Sequence, residues 1–420
     1  MQRFIPVLCA GLVALAAPFA HAETTAPLTP DAALHKALAY SPALKAQREN
    51  ILGTHGERLQ SGLAPNPEFS LEAENILGNG SANGVKGAEI TLGIAQTLEM
   101  GGKRGARISA AERQTDIAAV EYAAGALDLL QAAANTWTEA AAAEEELRLA
   151  QSQEKLARDV LGNVSKRVAA AAESAIQKSK ADVALAAARA AAAKAERKQA
   201  AATAALAARL GEETLPALDT AAFFAAAAPD SQSETIAQNP DVSLIEAGIA
   251  FARANLALER ANAVPDITLE AGVRDSRDAD EQSFLAGVSI PFPAFNRNQG
   301  AIRKAGHDIA KAEHEKSAML DALNAALQLA QSERDAAHAE IAILEGDILP
   351  AAEKAFAQAR SGYQSGKFAY LEVLDAQRTL FDVKTQRIAA FRDYHLATAA
   401  VDRLTGRHMN LIPVSAAEKK

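Results

Sequence analysis

The side chains in this 420-residue sequence that could do chemistry are mostly carboxylates, and their spacing suits the handling of cations. Glu68, Glu72, Glu74, Glu89, Asp266 and Glu270 fall in three of four short stretches where polar and apolar residues alternate, always on the polar side. A row of carboxylates on a wetted face attracts cations and repels anions. His307 and His314, seven residues apart, could share a helical face as metal ligands, but an exposed pair that binds nothing is the plainer reading. There is no HExxH and no GxSxG, GGKR at Gly101 lacks the Ser/Thr and upstream glycine of a phosphate loop, and GNGSANG at Gly78 has the wrong spacing for a dinucleotide site. The chain is therefore read as a non-enzyme, with no catalytic residue, cofactor or resident metal.

The N-terminus sets the compartment. Arg3 is followed by an apolar stretch from Phe4 to Phe19 and then Ala20, His21 and Ala22, the pattern of an exported protein whose signal occupies residues 1–22 and whose mature chain starts at Glu23. Cys9, the sole cysteine, leaves with the signal, so no disulfide or thiolate site is expected. Losing Arg3 takes the formal charge from −9 to −10, which argues against nucleic acid as a partner. The chain is rich in Ala with 5% aromatic residues and 1 Trp, as suits long helices packed closely. Its four Met, Met1 included, disfavour a dedicated Cu(I) path, since Cu(I) prefers soft ligands. No segment after the signal has 18 uninterrupted apolar residues, so any membrane span would have to use strands.

The carboxylates are carried on a duplicated frame. NPEFSLEA from Asn66 aligns with VPDITLEA from Val264 and SPAL from Ser41 with NPDV from Asn239, both 198 residues apart. LGIAQTL from Leu92 aligns with AGVSIPF from Ala286 at a separation of 194. Each half reads helix, strand, strand, long helix, turn, long helix, with repeats at 23–237 and 238–408 and a tail at 409–420.

Strands are expected at about 67–76, 88–98, 265–274 and 282–292. Phe69, Leu71 and Ala73 oppose Glu68, Ser70, Glu72 and Glu74, while Ile90, Leu92, Ile94 and Leu98 oppose Glu89, Thr91 and Thr97. Ile267, Leu269, Ala271 and Val273 oppose Asp266, Thr268, Glu270 and Arg274; Phe284, Ala286, Val288, Ile290 and Phe292 oppose Ser283, Gly287 and Ser289. Any one pair could be a hairpin on a soluble core. Four together, in a chain whose helices are committed to one another, suit a barrel wall between lipid and water. Four strands cannot close a barrel, which needs about eight, so several chains must contribute.

Long helices are expected from Gly105 to about Leu161 and from Ala301 to about Arg360, interrupted only by Pro350. In the second, Leu320, Leu323, Leu327, Ala330, Ala337, Ile341, Leu344 and Ile348 alternate by threes and fours, with Arg334 in one apolar slot, which is a coiled-coil seam. The helices turn at AAAAES in the first half and at GYQSGKF in the second, where Gly362 and Gly366 supply flexible positions.

NPEFSLEAEN from Asn66, QTLEMGGKRGAR from Gln96, IPFPAFNRNQGAI from Ile290 and YQSGKFAYLEVLDAQRTL from Tyr363 occur in order across nearly the whole mature chain. With these strings the sequence resembles the TolC family of outer-membrane efflux channels, on the CzcC-like branch that serves heavy-metal pumps. The resemblance implies a mainly α fold with a membrane β-barrel portion: a homotrimer whose twelve-stranded barrel in outer-membrane lipid stands on a long coiled-coil α-barrel in the periplasm. It implies a periplasmic membrane-fusion adaptor and an inner-membrane RND transporter as partners, and export of divalent cations of the Co/Zn/Cd type. Tripled around the axis, the six strand acids would make a cation-favouring lumen. At the tunnel tip the family's gate tyrosine falls on Tyr363 and its acids on Glu372 and Asp375. Its arginine position holds Phe368, which leaves Lys367 beside it as the gate's candidate cation, Gln177 stands where a tip aspartate is expected, and Gly362 and Gly366 mark the adaptor-facing tip. Without the family, Glu372 and Asp375 read as a solvated helix face. Two alternatives stand beside this reading: a duct for drugs or other organic solutes, and a soluble periplasmic coiled-coil adaptor.

Overall fold

A computed structural model describes residues 26–76, 79–80, 84–229 and 234–412; the signal segment, most of the loop from Leu77 and the end of the tail lie outside them. Nine helices and four strands follow one another in two similar series among the described residues. The first is α1 (Pro30–Tyr40), α2 (Pro42–Ser61), β1 (Glu68–Glu74), β2 (Glu89–Leu98), α3 (Lys103–Ala169), α4 (Ala175–Leu210) and the single turn α5 (Thr220–Phe223). The second is α6 (Pro240–Asn262), β3 (Ile267–Ser276), β4 (Glu281–Ser289), α7 (Gln299–Ile343), α8 (Leu349–Gln364) and α9 (Tyr370–Thr405).

Matching residues build the matching corners. Ser41 and Asn239, both buried, cap α2 and α6 by accepting hydrogen bonds from Leu44 N and Asp241 N, and each is followed by proline at the first helical position. Gly211 and Gly406 end α4 and α9 with φ near +70°, which non-glycine residues adopt only at a cost. A β-carbon at Gly211 would lie 2.1 Å from the Tyr40 ring, and one at Gly406 would lie 2.5 Å from the Gln238 carbonyl oxygen.

The sheet runs β1-β2-β3-β4, antiparallel throughout, with β1 and β4 as free edges. Its register keeps the alternation in phase: Leu71 pairs with Leu92, Leu92 with Val273 and Val273 with Phe284, while Glu72 pairs with Thr91, Thr91 with Arg274 and Arg274 with Ser283. One face is apolar and exposed, with Phe69 at 77% and Phe284 at 89%. Three strand ends differ from expectation. β1 is seven residues long, β3 continues to Ser276, and β4 stops at Ser289, so Ile290 and Phe292 lie beyond it. Pro291 and Pro293 explain that stop, because proline cannot donate to a strand ladder.

The long helices extend past their expected ends. α3 has 67 residues and would reach about 100 Å at ~1.5 Å per residue. Its counterpart runs as α7 and α8, joined by a π-turn at Leu344–Ile348 immediately before Pro350. The wider turn accommodates the missing proline N–H and rotates the helix. The seam is buried from Leu323 through Leu327, Ala330, Arg334, Ala337 and Ile341 to Leu344, then resumes at Ala352, whereas Ile348 is 38% exposed. Arg334 fits the seam because Glu234 meets it at 2.6 Å and Asp335 at 3.2 Å. Burial alone would lower its pKa, and the bonds and charges of Glu234 and Asp335 outweigh that and leave it raised.

By length and composition α3 is also apolar enough to cross a membrane, although polar residues interrupt its apolar runs. Its apolar side instead packs inside the protein, where Leu127, Leu130, Ala133, Trp137 and Ala140 form the main core with α1 and α9. Trp137 donates Nε1–H to the Leu28 carbonyl at 3.0 Å.

Candidate functional site

The polar face of the sheet gathers most of the sequence-predicted carboxylates, and the structure divides them into two groups. Arg274 on β3 lies among them: its guanidinium reaches Glu74 and Glu89 at 3.2 Å each and donates to Thr91 Oγ1 at 3.0 Å. This one arginine pairs with both acids and offsets one of their two negative charges. Glu68, Glu72 and Glu270 line the same groove with Arg274 and form no ion pair among the described residues, so their charge is free.

Asp266 has a different place. It accepts from the Met100 N–H at 2.9 Å and pairs with Lys103 at 2.8 Å, closing the turn through Gly101 and Gly102 that joins β2 to α3. Next to it Arg107 pairs with Glu99 and donates to the carbonyls of Ser61 and Leu63. Asp266 braces the junction between sheet and helices and is not one of the free acids of the groove. Reading faces from alternation passed over Arg274, Lys103 and Arg107 as partners, although Arg274 stood on the polar face in the sequence.

At the far end of the long helices Tyr363 and Tyr370 are buried, with ring centroids 5.8 Å apart. The cation over Tyr363 is Arg167 of the first-half hairpin, 4.8 Å from the ring centroid, with Glu173 at 3.5 Å from its Nε. Lys367 is exposed and forms no ion pair among the described residues. Glu372 and Asp375 are likewise exposed and unpaired there, so the structure brings neither of them to Tyr363. Gly362 is a buried residue of α8, not a flexible turn position, and a β-carbon there would lie 2.1 Å from the Phe368 ring. Gly366, at φ +75°, is the residue that turns the chain, and the Lys367 N–H donates back to the Gly362 carbonyl at 2.8 Å.

Burial pushes the Tyr370 hydroxyl up to about 12, with Tyr363 adding to the shift. A tyrosine whose folded pKa is raised contributes stability that is intact below pH 10 and is lost as pH rises from 10 towards 12, by about 3 kcal/mol for two pH units. Tyr370→Phe is expected to flatten this loss, which unfolding midpoints measured at pH 8, 10 and 11 would show. Burial holds the His395 imidazole below its usual value, against the hydrogen bond to the Phe223 carbonyl at 2.8 Å. Its contribution has the opposite window: present above pH 6.5 and lost as pH falls below it.

Among the described residues no cluster of three or more His, Cys, Asp or Glu could hold a metal ion. The arrangement offers an acidic lined surface at one end, a packed aromatic joint at the other and long helices between.

Residues 33–212 and 232–407 match the family described as outer membrane efflux protein. The cobalt-zinc-cadmium resistance protein CzcC of Cupriavidus metallidurans is 31% identical over 391 residues, covering 92% of this chain and 91% of that protein. The nickel and cobalt resistance protein CnrC of the same organism is 30% identical over 290 residues, 67% of each chain. Among solved structures, CusC, described in connection with transmembrane channel formation, superposes with a TM-score of 0.75 at 20% identity, covering 90% of this chain and 91% of that one.

Proposed function

Because this chain belongs to the outer membrane efflux protein family, we propose that it is the outer-membrane duct of a tripartite pump that expels divalent heavy-metal cations of the Co/Zn/Cd type. The observation that carries the metal assignment is the 31% identity with a cobalt-zinc-cadmium resistance protein along almost the full length of both chains. A periplasmic membrane-fusion adaptor and an inner-membrane RND transporter supply the energy and the cargo, and the duct is passive. The chain reaches the outer membrane by export, after loss of residues 1–22, and consists of two repeats at 23–237 and 238–408.

The open sheet supports assembly as a homotrimer. β1 and β4 are free edges that run in opposite directions, so β4 of one copy can pair antiparallel with β1 of the next. Three copies close twelve strands with Phe69, Leu71, Leu92 and Phe284 towards lipid and Glu68, Glu72 and Glu270 towards the lumen. The helices below form the periplasmic tunnel, with Glu372 and Asp375 as its exposed acids near the tip. Lys367 and Gly366 belong to the adaptor-facing end.

Passage of cations calls for weak, dispersed attraction, which three unpaired carboxylates per chain provide without a closed ligand set. Replacing Glu68, Glu72 and Glu270 together with Gln is expected to reduce the cation-over-anion preference of bilayer conductance several-fold, while Glu74→Gln, which takes one charge per chain from a cluster that Arg274 already half offsets, changes it less. An unchanged preference in the triple variant would remove these acids from the account.

Growth of a deletion strain across Zn, Co, Cd, Ni and Cu salts and a panel of dyes and antibiotics, with complementation, tests the assignment. Sensitivity confined to divalent metals is expected. Sensitivity to organic compounds alone would keep the duct and replace its cargo.

A further inference from the structure

Two layers of the chain end in unpartnered edges, and the edges fall on the same two sides. In the sheet they are β1 and β4. In the helical layer at the hairpin end, α4 packs along α3, α3 along α9, and α9 along α7 and α8. Neither α4 nor α8 packs lengthwise along a second long helix among the described residues, the contact of α8 with α3 being the Arg167–Tyr363 stack near the tip. α4 ends at Gly211 against Tyr40, at the α1–α2 corner, and α2 leads into β1. α7 follows β4 directly. One side of the chain is therefore α4, α2 and β1, and the other is β4, α7 and α8.

The two sides carry opposite charge at the same height. On α4 the buried residues Ala181, Leu185, Ala188 and Ala192 face α3, and Lys194 and Arg197 stand on the opposite face, exposed and without an ion pair among the described residues. On the other side, Glu340 and Asp347 flank Ile343, all three exposed and off the buried seam of Ala337, Ile341 and Leu344. Neither acid has an ion-pair partner among the described residues. Both hairpins descend from the same sheet through helical stretches of nearly equal length, 103–169 and 299–364, which sets their tips level. Lys194 and Arg197 lie 20 and 23 residues above Ser174 at the foot of α4, and Asp347 and Glu340 lie 18 and 25 residues above Ser365 at the foot of α8. At ~1.5 Å per residue both sets stand about 27–38 Å from the tips.

We infer that Lys194 and Arg197 of one copy pair with Asp347 and Glu340 of the next, forming the ionic part of the chain-to-chain seam in the helical tunnel. The occupant of the exposed α4 face is thus a second copy of this chain, seated through its α7–α8 side. The inference rests on the reading that the chain closes into a ring of copies, and adds which charges set the register of that closure. Single surface ion pairs contribute little, but like charges placed opposite one another across an interface are strongly unfavourable, so charge reversal is the sensitive probe.

The test uses the full chain extracted in detergent and its mass by native mass spectrometry. Lys194→Glu with Arg197→Glu is expected to weaken assembly on the order of tenfold or more, as is Glu340→Lys with Asp347→Lys, and the fourfold variant carrying both reversals is expected to recover it. Circular dichroism checks that each variant keeps its helical content. A second measurement does not depend on reversal being tolerated: Lys194→Cys with Glu340→Cys should give linked oligomers with a short bis-maleimide, and Lys194→Cys with Glu372→Cys should not. A wild-type trimer indifferent to both reversals, or a fourfold variant that fails to recover, or no linkage of the 194/340 pair, overturns this pairing alone. A wild-type chain that stays monomeric in detergent and in native membranes overturns the ring assembly and the pairing with it.

Discussion

Trp137→Ala lowers the stability of the folded chain by about 3–5 kcal/mol, the range for emptying a fully packed aromatic site. Trp137 is 1% exposed and sits where α3 meets α1 and α9 in the main core. Its Nε1–H also holds the Leu28 carbonyl, the point at which the N-terminal segment bridges Leu218 and leads into α1. The two contributions separate in Trp137→Phe, which keeps most of the ring and loses the hydrogen bond. That change is expected to cost about 1 kcal/mol from the bond, because the Leu28 oxygen still accepts from the Asp219 N–H at 3.2 Å. Since Trp137 is the only tryptophan, unfolding must be followed by circular dichroism. An alanine variant with a midpoint within experimental error of the parent would show that this core does not hold α1, α3 and α9 together.

Glu234→Ala has the second large effect, about 3–5 kcal/mol, although Glu234 lies in a connecting segment. The cause is its partner. Arg334 occupies an apolar slot of the α7 seam at 4% exposure, and removing the Glu234 carboxylate leaves a guanidinium out of water with only Asp335 beside it. Replacing the arginine itself by Leu removes the charge and restores the heptad pattern, so Arg334→Leu is expected to be much milder, within about 1–2 kcal/mol of the parent or more stable. The double variant should resemble Arg334→Leu alone, because Glu234 then faces the adjoining cavity with Thr398 and Arg407. Equal losses in Glu234→Ala and Arg334→Leu would mean that the pair contributes by packing and not through its charge.

These cases mark where sequence reasoning succeeds and where it stops. The strands, their faces and the doubling of the chain are legible because they are periodic: side chains alternate with period two, and SPAL, NPEF and their counterparts repeat at nearly constant spacing. The seam of α7 is legible for the same reason, up to the residue where Pro350 forces a wider turn and moves Ile348 out of line. Contacts between residues far apart in the chain carry no such period. Arg274 and Glu89 are 185 residues apart, and nothing in either stretch announces that the arginine pairs with two of the six predicted acids. The same holds for Asp266, which alternation placed with the groove acids and which instead braces the turn to α3 through Lys103. It holds also for Arg167, which stands two residues before the alanine-rich turn in the sequence and which the fold sets against Tyr363. Gly362 shows a subtler limit: its type was noticed, but the reason for it is the seat of the Phe368 ring rather than freedom at a turn.

The central claim is that this chain is the outer-membrane exit for divalent metal cations. Its most direct test is retention: cells loaded with Zn, Co or Cd are washed into metal-free medium, and their metal content is followed by elemental analysis in the parent, the deletion strain and the complemented strain. Slow loss of at least one of these metals in the deletion strain, restored by the intact gene, is the predicted result; equal loss of all three in every strain would contradict the claim.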